Sequence, residues 1–422
     1  VSALSPRQII NGKLGSALLQ MLLFLSAILP CLGFTYLLRG VDLLTLTLLP
    51  ALGVLASFGL SMIGAFLASL ARLKALQIII SLAFIGGLFL LFFGSCVFVE
   101  EMLQRGYRYY RDEEFWTVLG AFLSFYATTF LVVYAGAVAC NTFTHANRST
   151  PIRVALLIQQ SVYLGWVAAL FYVDNDDDIV NGAFYVTLVY WAAAGVLLTS
   201  EQPVLSPRVR RGLPRGGLSR ALFTWLMPGP GAGYFFVISN VSLCLVVMMV
   251  GAAFCDRPRF LLSFEDHESL LGPLLTCYLV AYLGLGRLLV FALRRFSDLS
   301  MLGCCLVHLL VQLLGNAGPF LARAFSRRYN DDFSYLDIPS PIAAAVHLDV
   351  GSANEFELLT MLFLVVGAAA SMLMANIALA AIEIRQTRTP APQRILEDDL
   401  ELHPKLPPTP VNPWGDLPTG VE

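Results

Sequence analysis

The stretch Ala75–Val99 reads ALQIIISLAFIGGLFLLFFGSCVFV and contains no charged side chain. Because a helix rises about 1.5 Å per residue, this stretch is long enough to cross a hydrocarbon core about 30 Å thick. A helix also satisfies its own backbone hydrogen bonds, as a chain in lipid must. The stretch therefore predicts a membrane-spanning helix.

Similar apolar runs lie on both sides of this stretch and raise the predicted number of spans to about ten. The other nine are Gly15–Leu38, Leu43–Leu70, Phe115–Cys140, Val154–Val173, Ala183–Ser200, Tyr234–Phe254, Leu270–Leu293, Leu299–Phe320 and Phe356–Ile384. We therefore expect an all-α fold, a polytopic transmembrane helical bundle embedded in a lipid bilayer.

The composition excludes the common classes of soluble enzyme. Of 422 residues, 57% are hydrophobic and 13% are charged, against about 25% charged residues in ordinary soluble domains. The net charge of −2 gives no electrostatic signature for nucleic acid. The eight cysteines contain no CxxC pair, and no phosphate-binding GxxxxGK[ST] loop occurs. The sequence therefore predicts no catalytic residue, no cofactor and no metal site.

The distribution of lysine and arginine predicts the orientation of the chain. With a cytoplasmic N-terminus and ten crossings, 17 of the 27 basic residues fall on the inner side, as the positive-inside rule requires. We therefore expect a multi-pass protein of the plasma (inner) membrane with both termini in the cytoplasm. Arg287 is expected to extend towards the cytoplasmic surface, and Gln159 and Gln160 to lie at the membrane interface.

Composition shifts divide the chain into five predicted segments. These are an amphipathic helix at 1–14, a first bundle of six helices at 15–200, a basic cytoplasmic linker at 201–233, a second bundle of four helices at 234–384, and a disordered cytoplasmic tail at 385–422, which is rich in proline and charge.

A polar stripe is predicted along the ninth span, because polar residues recur there every four positions: Ser300, Cys304, His308, Gln312 and Asn316. Two interpretations remain open. The stripe could line a polar path or substrate surface, or it could make interhelical hydrogen bonds, which is the favoured interpretation.

Rows of small residues predict close helix contacts within the bundle or in a dimer. The second span carries Gly53, Ser57, Ser61 and Ala65, and the fourth carries Gly120, Ser124 and Thr128.

The first fourteen residues differ from the runs that follow. Ser5 can cap a helix that Pro6 begins, with Ile9 and Ile10 on an apolar side and Arg7 and Lys13 exposed to water. The physical pattern alone favours a positively charged anchor that fixes the topology.

The segment Leu4-Ser5-Pro6-Arg7-x-Ile9-x-x-Gly12-Lys13-Leu14, which runs directly into a leucine-rich span, resembles the permease subunits of type-two ATP-binding-cassette (ABC) exporters. In that family the matching segment is the coupling helix that docks on the ATPase subunit. The resemblance covers about a quarter of the chain, from Val1 to Val99. It implies that the contact with the ATPase involves Leu4, Ser5, Pro6, Arg7, Ile9, Gly12 and Lys13.

The resemblance implies an exporter permease whose ATP hydrolysis occurs on a separate partner subunit, so this chain is not itself expected to be an enzyme. It also implies a second permease, identical or different, as a dimer partner. Two departures from the family are evident: the helices expected before Val1 are missing, which suggests an N-terminal truncation, and about seven helices follow the first three. The alternative is a non-transporting multi-pass membrane scaffold or sensor whose basic linker and proline-rich tail bind partners.

Overall fold

A computed structural model describes residues 4–38, 41–70, 74–105, 110–143, 146–174, 177–203, 209, 223–254, 267–326, 335–350, 354–387 and 393–402. Throughout these residues the regular secondary structure is helical, and ten helices are long and apolar enough to cross a membrane. The predicted all-α, polytopic fold is thus confirmed: the chain is a multi-pass membrane protein.

Twelve α-helices are present in the described residues. They are α1 (Pro6–Leu37), α2 (Leu43–Leu70), α3 (Lys74–Arg105), α4 (Glu113–Asn141), α5 (Ser149–Asp174), α6 (Asp177–Thr199), α7 (Pro230–Phe254), α8 (His267–Leu293), α9 (Met301–Ser326), α10 (Pro341–Val350), α11 (Glu355–Thr387) and α12 (Gln393–Leu402).

The ten long helices run alternately up and down, so the bundle has two ends. We call the end that contains the start of α1 the N-terminal face and the other end the opposite face. At the N-terminal face, the start of α1 packs against the later turns of α2 and α4. Ile10, Met62 and Ala137 are in contact there.

Helices of the two predicted bundles also contact each other across residue 200. One core cluster joins α5, α6, α7 and α8 through Leu156, Trp191, Phe236 and Leu283, and α6 also contacts α9. Helices α5 and α6 therefore pack across the predicted boundary, while α5 also packs along α4 through Trp166.

The N-terminal segment was expected to form a separate amphipathic helix. Instead it is the first part of α1. Ser5 caps α1 as predicted, with its hydroxyl accepting the N–H of Gln8 and the Gln8 side chain accepting the N–H of Ser5. The helix then continues without a break through Gly12 and Gly15 to Leu37. A single glycine weakens a helix by only about 1 kcal/mol, so neither glycine ends it.

A short helix that the span count did not include enters the bundle between α9 and α11. The carbonyl oxygens of Ile338 and Pro339 accept hydrogen bonds from the hydroxyls of Tyr278 and Tyr282 on α8. Tyr282 lies at the centre of the span Leu270–Leu293, so the chain before α10 reaches the middle of the bundle. Such a re-entrant segment is stable in a membrane where protein groups satisfy its backbone.

Within the predicted tail, residues 385–387 end α11 and Gln393–Leu402 forms α12. Residues 388–392 and 403–422 of that predicted tail, residues 1–3 of the predicted coupling segment and most of the predicted basic linker lie outside the described residues.

Candidate functional site

The start of α7 is a tight turn that brings the backbone close to charged side chains from other helices. Gly229 has a φ of 133°, in the left-handed region that side chains other than glycine rarely adopt. A Cβ atom at Gly231 would collide with the carboxylate of Glu383 and lie 2.9 Å from Nη2 of Arg287. The two glycines therefore let the N-terminus of α7 approach these side chains.

Arg153 and Glu201 form the first of two ion pairs at this turn, each made of a buried arginine and a half-buried glutamate. Arg153 has no exposed surface, and its Nη2 lies 3.0 Å from Oε2 of Glu201. Its Nη1 donates to the carbonyl oxygen of Trp225 at 2.6 Å, and its Nη2 to that of Gly229 at 3.2 Å. Ser149 also donates a hydrogen bond to Glu201. The guanidinium thus links α5 to the segment before α7.

Arg287 and Glu383 form the second ion pair, between the late turns of α8 and α11. Nη2 of Arg287 lies 2.8 Å from Oε1 of Glu383, and Nη1 donates to Oδ1 of Asn376 at 2.9 Å. Only 1% of Arg287 is exposed, so the expectation that it extends to the membrane surface was wrong. The cause is the carboxylate on the neighbouring helix: a buried charge is stable when it is paired.

Both carboxylates also accept backbone hydrogen bonds at the start of α7, from Gly229 just before the helix and from Gly231 in its first turn. Oε2 of Glu201 accepts the N–H of Gly229 at 2.7 Å, and Oε2 of Glu383 accepts that of Gly231 at 3.1 Å. A helix N-terminus carries a partial positive charge that favours carboxylates. We call Arg153, Glu201, Arg287 and Glu383 together the double ion pair. It has no net charge, and it fastens the start of α7 to the ends of α5, α6, α8 and α11 at the N-terminal face.

The predicted coupling residues lie at the same face of the bundle. Leu4, Ser5, Arg7, Gly12 and Lys13 are exposed, whereas Pro6 and Ile9 are half-buried. On the other side of the helix, Ile10 and Leu14 are buried against α2 and α4. The segment therefore has an exposed polar side and a packed apolar side.

The polar stripe of α9 comprises Ser300, Cys304, His308, Gln312 and Asn316. Nε2 of His308 lies 3.0 Å from the hydroxyl oxygen of Thr199 on α6, and Oδ1 of Asn316 accepts a hydrogen bond from the hydroxyl of Ser340 at 3.2 Å. Ser300 is exposed and caps the first turn of α9. Cys304 accepts a hydrogen bond from Nη2 of Arg294, just after α8, at 3.2 Å. Three positions of the stripe thus bond to groups outside α9, which is what the hydrogen-bonding interpretation predicts.

The small-residue row of α2, Gly53, Ser57, Ser61 and Ala65, is not the face that packs on α4. Gly53 is exposed and has no neighbour within 4 Å of its Cβ position. The contact instead uses Gly59, whose Cβ position is 2.8 Å from the ring of Tyr126, and Phe58, which stacks on Phe130. Aromatic rings from α4 fill the space that Gly59 leaves, so the contact with α4 uses residues beside the predicted row. The predicted dimer contact of the row stays a prediction.

The row on α4 does mark a helix contact, with α5. The ring of Trp166 lies 3.5 Å from the Cβ position of Gly120, and its Nε1 donates to the hydroxyl of Ser124 at 2.7 Å.

Sequence reasoning missed the double ion pair. It counted Arg153 only among the basic residues of the inner side and did not select Glu201 or Glu383. The signal was present, because Glu383 lies inside a predicted span, where a carboxylate needs a basic partner. Gln160 was also expected at the interface, but it is buried in the bundle. No protein-family model, curated protein or solved structure matches this chain.

Proposed function

We propose that this protein is the membrane-spanning permease subunit of an ABC exporter, driven by a separate ATPase that binds the first turns of α1. One observation carries the proposal: the segment that resembles a coupling helix has an exposed side with Arg7, Gln8 and Lys13 at the end of the bundle. A soluble subunit can reach that side without entering the membrane. In this proposal the N-terminal face is cytoplasmic.

The opposite side of the same turns provides a route by which force would reach the bundle. Ile10 is fully buried against Met62 of α2 and Ala137 of α4, and α4 packs on α5 through Trp166 and Ser124. Because α1 is one continuous helix, pressure on Arg7 or Lys13 would tilt the helix against α2 and α4. Rigid-body movement of packed helices is the usual form of alternating access.

The double ion pair supports the same proposal, since it closes the bundle at the face where the ATPase would bind. Arg153 on α5 is part of it, and α5 is the helix that α4 contacts. Movement of α4 would thus shift α5 and pull Arg153 away from Glu201. We infer that this cluster holds the cytoplasmic end shut until the ATPase acts.

The test is co-purification of ATPase activity with the full chain, extracted in mild detergent from the cells that naturally produce it. We expect vanadate-sensitive ATP hydrolysis with the wild-type chain. Arg7→Glu should reduce the co-purified activity at least tenfold, because it reverses a charge on the proposed docking surface.

Arg111→Glu is the matched control, because Arg111 is exposed at the opposite face of the bundle. It should leave the activity within twofold of wild type. Equal activity for both variants would contradict the coupling role. No ATPase with the wild-type chain would contradict the permease proposal and favour the scaffold or sensor.

A further inference from the structure

Two buried amide side chains face each other at the middle of the bundle. Gln160 lies at the centre of the span Ser149–Val173 and Asn240 at the centre of Pro230–Gly251, where they are 5% and 1% exposed. Nε2 of Gln160 donates to the backbone oxygen of Asn240 at 3.4 Å, and Nδ2 of Asn240 donates to that of Phe236 at 2.6 Å. Oε1 of Gln160 and Oδ1 of Asn240 have no hydrogen-bond partner among the described residues.

The amide orientations are fixed by these contacts. Exchanging the nitrogen and oxygen of either side chain would place a carbonyl oxygen against a backbone carbonyl oxygen, so the unpartnered atoms are acceptors in the best arrangement of both side chains. A buried acceptor without a donor costs about 1–3 kcal/mol. The Gln160–Asn240 hydrogen bond holds the two residues together, so the two acceptors point to a group that donates hydrogen bonds to both.

An aromatic ring lies at the same level of α7. Trp191 of α6 is 1% exposed; it packs edge-on against Phe236, with 5.7 Å between ring centroids, and reaches the thiol of Cys244. Phe236 and Cys244 lie one turn before and one turn after Asn240, so the indole spans the turn that carries Asn240. Carbonyl oxygens together with an indole ring favour a cation that carries N–H donors.

The site lies on α5, which carries Arg153, and on α7, whose start is held by the double ion pair. Arg153 precedes Gln160 by seven residues on α5, and Gly231 precedes Asn240 by nine on α7, a separation of about 10–14 Å along each helix. Leu156 and Phe236 fill the space between the two levels. The amide pair is therefore separated from the N-terminal face by an apolar layer and then by the ion pairs.

We propose that Gln160 and Asn240 bind a primary ammonium group, and that this group belongs to the transported molecule. The second statement rests on the proposed permease function, whereas the first does not. A primary ammonium donates to both amide oxygens at once. A quaternary ammonium has the same charge and no N–H donor, so it provides a direct comparison.

The test measures thermal unfolding of the purified full chain in detergent with methylammonium chloride or tetramethylammonium chloride at equal ionic strength. We expect methylammonium to raise the unfolding temperature by about 2 °C or more in a saturable manner. Tetramethylammonium should give no saturable rise. Gln160→Met and Asn240→Leu should each reduce the affinity for methylammonium at least tenfold.

Gln159→Met is the matched control. The side chain of Gln159 is also an amide on α5, but it donates to Thr129 at 2.9 Å and accepts from Tyr190 at 2.6 Å. This variant should keep the methylammonium shift, even where its own unfolding temperature is lower. Equal shifts with the two salts, or an unchanged shift in folded Gln160→Met, would overturn the proposal. Neither result depends on an ATPase, so the outcome is independent of the test of the permease function.

Discussion

The two buried arginines use aromatic rings as well as carboxylates. Nε of Arg153 and Nε of Arg287 have no hydrogen-bond partner among the described side chains. Each guanidinium instead lies near a ring of α7, 5.7 Å from the centroid of Phe236 and 5.9 Å from that of Tyr234. Such cation–π contacts add about 0.5–2 kcal/mol where water is excluded. Helix α7, with Gly229 just before it, therefore binds both arginines by its rings and both glutamates by backbone N–H groups.

Removing one partner of the second ion pair should lower the free energy of unfolding. Arg287→Met leaves the carboxylate of Glu383 beside the start of α7 without its cation, and we expect unfolding in detergent to become easier by about 3–5 kcal/mol. The double variant Arg287→Met/Glu383→Met should recover much of that loss. Arg295→Met, an exposed arginine at the same face, should change stability by less than about 0.5 kcal/mol. A loss in the double variant equal to the sum of the losses in Arg287→Met and Glu383→Met would show that the pair is not coupled.

Asp42 caps the start of α2 outside the membrane. Its carboxylate accepts the N–H of Thr45 at 3.0 Å and the hydroxyl of Thr45 at 2.6 Å. Although partial burial favours the neutral acid, these hydrogen bonds hold the pKa of Asp42 below its ordinary value. A lowered pKa means that this stabilisation is present above the ordinary pKa and is lost as the pH falls through the lowered value.

Asp42→Ala should therefore lower the free energy of unfolding by about 1 kcal/mol at neutral pH. The difference from wild type should shrink below about pH 4. The matched control is Asp112→Ala, since Asp112 precedes α4 without making a side-chain cap. Denaturation curves at several pH values measure both effects, and a pH-independent difference for Asp42→Ala would refute this assignment.

At the scale of the helix, the sequence specifies where each span lies better than which side of it is buried. A run of apolar residues is enough to define a span, because lipid and protein neighbours are equally apolar. The choice of packing face depends on neighbours that are distant in the chain, such as Tyr126 for Gly59. The side of α2 that packs on α4 could therefore not be deduced from α2 alone, nor the inward side of Arg287 from α8 alone.

Leucine substitutions distinguish the two faces of α2. Gly59→Leu should destabilise the contact with α4 by about 1–3 kcal/mol, because the ring of Tyr126 is held in place by its hydrogen bond to the carbonyl of Leu55 at 2.6 Å. Gly53→Leu should be neutral or stabilising, since its Cβ position has no neighbour within 4 Å and leucine favours a helix more than glycine does. Unfolding measurements that give the two variants the same loss would contradict this packing.

For the whole molecule, composition and span counting were sufficient to predict an all-α bundle of ten long helices. They could not supply the double ion pair, the re-entrant helix or the Gln160–Asn240 pair. Each of these joins side chains or backbone groups that are far apart in sequence, Arg287 and Glu383 being one example. Hydropathy averaged over a window of residues does not reveal single polar side chains or their distant partners.

An even number of crossings places both ends of the bundle on one side, and the excess of basic residues predicts that this side is cytoplasmic. We expect green fluorescent protein joined after Glu422 to fluoresce when the chain is made in a bacterial inner membrane. Alkaline phosphatase joined after Asp112, at the opposite face, should be active because it is exported. Phosphatase activity after Glu422 would reverse the predicted orientation.

The re-entrant segment has a consequence for biogenesis. α10 is too short to be released into lipid as an independent span, and the carbonyls before it are hydrogen-bonded by Tyr278 and Tyr282 of α8. The ribosome makes α8 and α9 first, so a docking place for these carbonyls exists when they emerge. Leu358 and Met361 of α11 then cover Ala344 and Leu348. The order of synthesis thus matches the order in which these helices can pack. In a chain truncated before α11, Ala344 and Leu348 would lose their cover and face the lipid acyl chains.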